Sequence, residues 1–188
     1  MKENLEQLSD EELMIKCRDG DIHSFDLLVT RHKHLLTNFC YKYLNNYESA
    51  KEITQETFLT IYKKRKEYKI SAKFTTWLLT IARRYCFDAL RKIKRHPVIS
   101  LELSGIKENI ITNKSKSIED KMLEEETNAL LKNAVERLSD IYKEIVIMRC
   151  FEKLPYEEIS KILGVSTVAV RKRMEYALNK LKKIYLKL

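Results

Sequence analysis

Turn-forming residues are scarce in this sequence, with three glycines and two prolines among 188 residues. Tight β-hairpins depend on glycine for their backbone geometry, so a fold of many short strands would lack its punctuation here. Lys, Glu, Leu, Ile and Ala fill most positions and make long helices easy to form. An all-α fold follows, and 44% hydrophobic content is enough for the cores of two small helical domains.

Residues that carry chemistry are as sparse. The four histidines, His23, His32, His34 and His96, have no metal-ligand spacing, since His32 and His34 diverge on a helix. No Gly-rich phosphate loop is present, and Glu52 and Glu56 lack the Glu-x-x-His partners that a di-metal bundle needs. Cys17, Cys40, Cys86 and Cys150 lie far apart inside apolar helical patterns, without a Cys-x-x-Cys pair, and are expected to be reduced core residues. No run approaches the roughly 18 to 20 apolar residues that span a bilayer. The first residues, "MKENLEQLSDEEL", are too acidic and polar for a signal peptide. The expectation is a cytoplasmic protein that is not an enzyme, with no catalytic residue, metal, cofactor or small-molecule substrate.

Charge is abundant and unevenly spread. The formal net charge is +9, yet residues 1–60 hold 7 Lys/Arg against 11 Asp/Glu, whereas residues 61–95 hold 12 against 2. Residues 121–188 hold 14 against 10. Two separated basic stretches suit a long polyanion better than a small acidic ligand.

Helical spacing organises the chain into two parts. Ser9, with Glu12 three residues on, starts a helix that stops at Gly20. Further helices are expected over Ile22 to Tyr43, Tyr47 to Lys66, and from near Thr75 to Arg95, giving one four-helix unit over residues 1–95. Periodicity fails from His96 to about Ile118, which is expected to be a flexible linker. A second unit, residues 119–188, resumes helical spacing, with Ser139 capping a helix to about Phe151.

The C-terminal stretch "YEEISKILGVSTVAVRKRMEYALNKLKK" carries a helix-turn-helix pattern. Ile159, Ile162 and Leu163 form an inner face, Gly164 permits the turn, Val165 plugs it, and Val170, Met174, Ala177 and Leu181 continue the seam. With Val170 inward, Lys172, Tyr176 and Asn179 point outward, with Thr167, Val168, Arg171 and Glu175 near them. Arg173 lies about 60° from the seam, so it either reaches DNA or braces Glu157 or Glu158.

A helix-turn-helix regulator of duplex DNA would leave residues 48–95 unexplained. "ESAKEITQETFLTIYKK" places Glu52, Gln55, Glu56 and Leu59 on one helix face, a docking surface for a basic helical partner. The next stretch, "YKKRKEYKISAKFTTWLLTIARRYCFDALRKIKR", mixes aromatic rings with twelve basic residues, a combination that holds single-stranded DNA. Trp77 and Tyr85 lie on the apolar stripe and are expected in the core, whereas Tyr68 and Phe74 flank a short loop where they could meet an extruded base.

Four ordered stretches, "SDEELMIKCRDGDIHSFDLLV", "AKEITQETFLTIYK", "FTTWLLTIARRYCFDALRK" and "LPYEEISKILGVSTVAVRKRMEYALNKLKK", together resemble the extracytoplasmic-function, or group IV, sigma factors of the bacterial sigma-70 family. The resemblance implies a two-domain transcription initiation factor whose partners are bacterial core RNA polymerase and promoter DNA. In such proteins region 2 binds the polymerase clamp and opens the −10 element, and region 4 reads the −35 element. Members of the family are often held inactive by an anti-sigma factor, which makes one a candidate partner here.

Carried over by position, the resemblance implies that Glu52, Gln55, Glu56 and Leu59 bind core polymerase. Residues 68 to 74, among them Tyr68, Lys73 and Phe74, fall where the family captures a flipped base, and Arg83, Arg84, Arg91 and Lys92 fall on the promoter-facing helix. Asp88 matches a family acid that is expected to orient neighbouring arginines. Ser166, Thr167, Val168, Arg171, Lys172, Arg173 and Tyr176 are the implied −35 readers. The sequence departs from the family at Arg84, where Asn is common, and at Pro155, where Ser or Thr often caps the helix. It departs again at Glu175, Tyr176 and Leu178, where basic residues are frequent.

Overall fold

The computed structural model of the chain describes residues 5–70, 73–95 and 133–185, all of whose regular structure is helical. The expected linker over 96–118 and the helical spacing expected up to Leu131 lie outside the described residues. The chain divides into two compact units, residues 1–104 and 105–188.

In the first unit each helix starts where a side chain can accept a backbone N–H. Helix α1 (Asp10–Arg18) opens with a reciprocal capping box: the Ser9 hydroxyl accepts the Glu12 N–H at 3.3 Å, and Glu12 Oε2 accepts the Ser9 N–H at 2.7 Å. Gly20, at φ +114°, takes a left-handed turn into α2 (Ile22–Leu44), which Asp21 caps by accepting from the His23 N–H and the Ser24 hydroxyl. Asn45 ends α2 in the left-handed region, and Asn46 caps α3 (Tyr47–Lys63) by accepting the Ser49 N–H at 2.8 Å.

The third helix ends three residues before the expected Lys66, because Arg65–Glu67 tightens into a 3-10 turn. Arg65 holds that turn by donating to the Tyr62 carbonyl at 2.8 Å and lying over the Tyr62 ring. Helix α4 (Phe74–Arg95) then crosses the unit. Leu13 and Met14 of α1, Leu28 and Leu36 of α2, Ile61 of α3 and Leu78 of α4 are fully buried together in the core of this unit. Burying each such side chain contributes about 1.5–3 kcal/mol.

In the second unit residues 133–136 are helical, and α5 (Asp140–Val146) follows. The helix expected to continue to Phe151 changes at Ile147–Phe151 into a π-helical turn, and Ser139 makes no side-chain cap bond. Helix α6 (Tyr156–Leu163) ends at Gly164, whose φ of 65° and ψ of 33° allow the sharp turn, and α7 (Thr167–Tyr185) follows. The Ser166 hydroxyl accepts the Ala169 N–H at 3.2 Å and so caps α7. Val170, Met174 and Ala177 are buried, the last two packing with Val135, Leu138, Ile145 and Val146, while Leu163 and Leu181 close the edge. The seam expected from the sequence is the one that forms.

Candidate functional site

Helix α3 divides cleanly along its axis. Ile53, Thr54, Thr57, Phe58 and Ile61 are buried, whereas Glu52, Gln55, Glu56 and Leu59 are all exposed on the other side. Leu59 shows 58% of its surface to water, beside two carboxylates. A single exposed leucine is common on protein surfaces, so what distinguishes this face is its pairing of two exposed carboxylates with Gln55 and Leu59 on one side of the helix. The nearby Lys51 pairs with Glu48 at 3.0 Å.

The loop before α4 is arranged differently from expectation. Tyr68 is only 5% exposed and lies over Trp77, with ring centroids 5.2 Å apart, and Phe74 is fully buried against His32 and the edge of Trp77. Neither ring is open to an extruded base in this conformation: Tyr68 packs on Trp77 with Glu11 and Asp10 of α1 nearby, and Phe74 packs on His32 of α2. The Tyr68 hydroxyl is buried without a partner among the described residues, and burial, with Glu11 and Asp10 nearby, pushes its pKa up to about 12. Trp77 and Tyr85, expected in the core, are half-buried, and the Tyr85 hydroxyl meets Thr60 at 2.7 Å.

The loop shows solvent Lys69, Ile70 and Lys73 instead, with Ile70 65% exposed. Sequence reasoning passed over Ile70, although an isolated apolar residue among polar neighbours in a short loop was a usable signal. Along α4, Arg84, Arg91 and Lys92 are exposed, while Arg83 is half-buried over the Phe87 ring at 4.8 Å. Asp88 faces Arg91 at 3.8 Å on the exposed side of the helix.

On α7, Val168, Arg171, Lys172 and Tyr176 are exposed, and Thr167 and Arg173 are half-buried. The Thr167 hydroxyl turns back to Ser160 at 3.4 Å. Arg171, rather than Arg173, reaches Glu157, at 3.6 Å, and it shares the Tyr156 ring with Arg149. Both ends of that ion pair are exposed, so it adds little stability and leaves Arg171 able to exchange Glu157 for a phosphate. Tyr176 stacks on Tyr142, a contact between residues too distant in sequence for helical spacing to reveal.

Two family models match these same two units: Sigma-70 region 2 over residues 28–96 and Sigma-70, region 4, over residues 128–181. The ECF RNA polymerase sigma factor SigW of Bacillus subtilis is 28% identical over 183 residues, covering 92% of this chain and 97% of the relative. The chain belongs to the extracytoplasmic-function sigma factors of the sigma-70 family.

This sigma factor is also 26% identical to the ECF RNA polymerase sigma-E factor of Escherichia coli over 173 residues, 90% of each chain. Its fold is that of CnrH, solved in complex with the cytosolic domain of CnrY, at a TM-score of 0.68 and 19% identity over 93% of this chain and 96% of that one. Similar too is the sigma factor RpoE of Bartonella quintana, solved with the anti-sigma factor NepR, at a TM-score of 0.63 and 22% identity over 87% and 97%. The sigma factor directs RNA polymerase to specific promoters. Among its described residues no helix is long and apolar enough to cross a membrane, and no cluster of His, Cys, Asp and Glu could hold a metal ion.

Proposed function

We propose that residues 1–95 bind the polymerase clamp through Glu52, Gln55, Glu56 and Leu59 and open the −10 element, and that residues 119–188 read the −35 element, with 96–118 as the linker. The exposed acid-and-leucine face of α3 carries this reading, because reading duplex DNA does not require it. In the loop before α4, Lys69, Ile70 and Lys73 are the groups that meet the unpaired strand, with Tyr68 and Phe74 forming the floor beneath them. Arg83, Arg84, Arg91 and Lys92 track its phosphates. Ser166, Thr167, Val168, Arg171, Lys172, Arg173 and Tyr176 form the surface of α7 that enters the major groove. The protein works in the cytoplasm, catalyses no reaction by itself, and is held in check by an anti-sigma factor.

Co-elution of the purified chain with bacterial core RNA polymerase at moderate salt, beside a Glu52→Lys/Glu56→Lys control, tests the reading. The wild type is expected to co-elute, and the single Glu56→Lys exchange already to weaken binding about tenfold while the helical circular dichroism stays unchanged, since both carboxylates are exposed. A wild type that binds duplex DNA but not polymerase would make the protein a duplex-reading regulator.

A further inference from the structure

The three consecutive acids at the start of α1 do three different things. Glu12 closes the capping box on Ser9. Asp10 ties α1 to α2: Oδ2 lies 2.6 Å from His32 Nε2, and Oδ1 accepts from Arg31, which also donates to the Leu8 and Glu6 carbonyls. Glu11 reaches furthest along the chain, with Oε1 accepting the backbone N–H of Phe74 at 2.8 Å across 63 residues.

Phe74 is the first residue of α4, and the opening N–H groups of a helix have no partner within it. The carboxylate that satisfies this one belongs to another helix, and a negative charge is also favoured at the positive end of α4. The first residue of α4, and the exposed Lys73 that precedes it, are thus tied to α1. At the other end of the loop the buried Tyr68 ring lies on Trp77. Glu11 lies ahead of residue 28, where the match to region 2 begins.

We infer that Glu11 is a positioning residue for promoter opening: through the Phe74 amide it holds the start of α4, and with it the adjoining Lys73 of the loop, in the position that receives the unpaired strand. This rests on the proposed role of that loop. Glu11 need not touch DNA, and its contribution appears in strand opening rather than in polymerase or duplex binding.

The test uses reconstituted holoenzyme on a promoter identified by run-off transcription, with four full-length chains: wild type, Glu11→Ala, Glu11→Gln and a Lys69→Ala/Ile70→Ala/Lys73→Ala loop variant. Permanganate reactivity of unpaired thymines gives the opening rate, and core affinity and melting temperature are measured alongside. Glu11→Ala is expected to slow opening about tenfold, the scale of one charge-assisted hydrogen bond, with core affinity unchanged. Glu11→Gln, whose amide oxygen still accepts the Phe74 N–H, is expected to restore most of the rate. Normal opening in Glu11→Ala with slow opening in the loop variant overturns the inference and leaves the loop's role standing. Normal opening in the loop variant overturns the loop's role, and the inference with it. Equal loss of core affinity, stability and opening in Glu11→Ala, without rescue by Gln, would make Glu11 a structural residue only and overturns the inference.

Discussion

Tyr142 and Tyr176 stack with their centroids 4.5 Å apart and their planes 26° apart, so one face of the Tyr176 ring is already covered by α5. Tyr176 stays 53% exposed through its other face and edge. The outward side of α7 is consequently a ring fixed in place beside two exposed cations, Lys172 and Arg171. A ring immobilised before binding loses little entropy on contact, and on the proposed reading of α7 as the −35 reader the cations would supply the salt-dependent part of the affinity.

Lys172→Ala is therefore expected to weaken holoenzyme binding to promoters evenly across sequences and to lower the slope of log affinity against log salt by about one. Fluorescence anisotropy over a salt series measures both. An unchanged slope would remove Lys172 from the phosphate contacts.

Tyr68→Phe removes a hydroxyl that is buried without a partner among the described residues, so stability at neutral pH is expected to hold or rise by up to about 1 kcal/mol. The pH dependence follows from linkage. The hydroxyl ionises near 10 when unfolded and at about 12 in the folded chain. Between those values the unfolded chain releases a proton that the folded chain keeps, so wild-type stability falls as pH rises. Urea titrations from pH 9 to 12 should show a shallower fall in Tyr68→Phe; parallel curves would mean that the hydroxyl is not shielded. Promoter opening by this variant should match wild type, because the phenylalanine ring can still pack on Trp77.

Gly164→Ala is expected to cost about 1 kcal/mol, and Gly164→Asn less. The position has φ of +65°, but an added Cβ meets nothing within 4 Å, so the cost is backbone strain alone. Urea unfolding measures it, and a loss above about 3 kcal/mol would point to a clash at this turn.

Much of this was legible in the sequence because the signals were local. The Ser9/Glu12 box, the turn at Gly164 and the Val170, Met174, Ala177 seam each depend on residues within a few helical turns. The exposed face of α3 was equally plain from its spacing. Long-range contacts were not legible. Tyr68 and Phe74 flank a short loop in the sequence, yet both are buried, by Trp77 and His32 respectively, and the Glu11 bond to Phe74 joins segments that share no pattern. The choice of Arg171 over Arg173 as the partner of Glu157 depends on how α6 and α7 cross, which helical spacing alone does not determine.

The four thiols are unequal in a way that makes the chain convenient to label. Cys17, Cys40 and Cys86 are buried; burial pushes the Cys17 thiol up, and at Cys86 a hydrogen bond to Cys40 does so first, with burial adding to it. Cys150 is exposed on the π-helical turn ahead of α6, although partial desolvation raises its thiol as well. A maleimide dye should react there more slowly than with a free thiol, yet at that one position. The native sequence thus accepts a single fluorophore just ahead of α6 and α7, without any cysteine having to be removed or introduced.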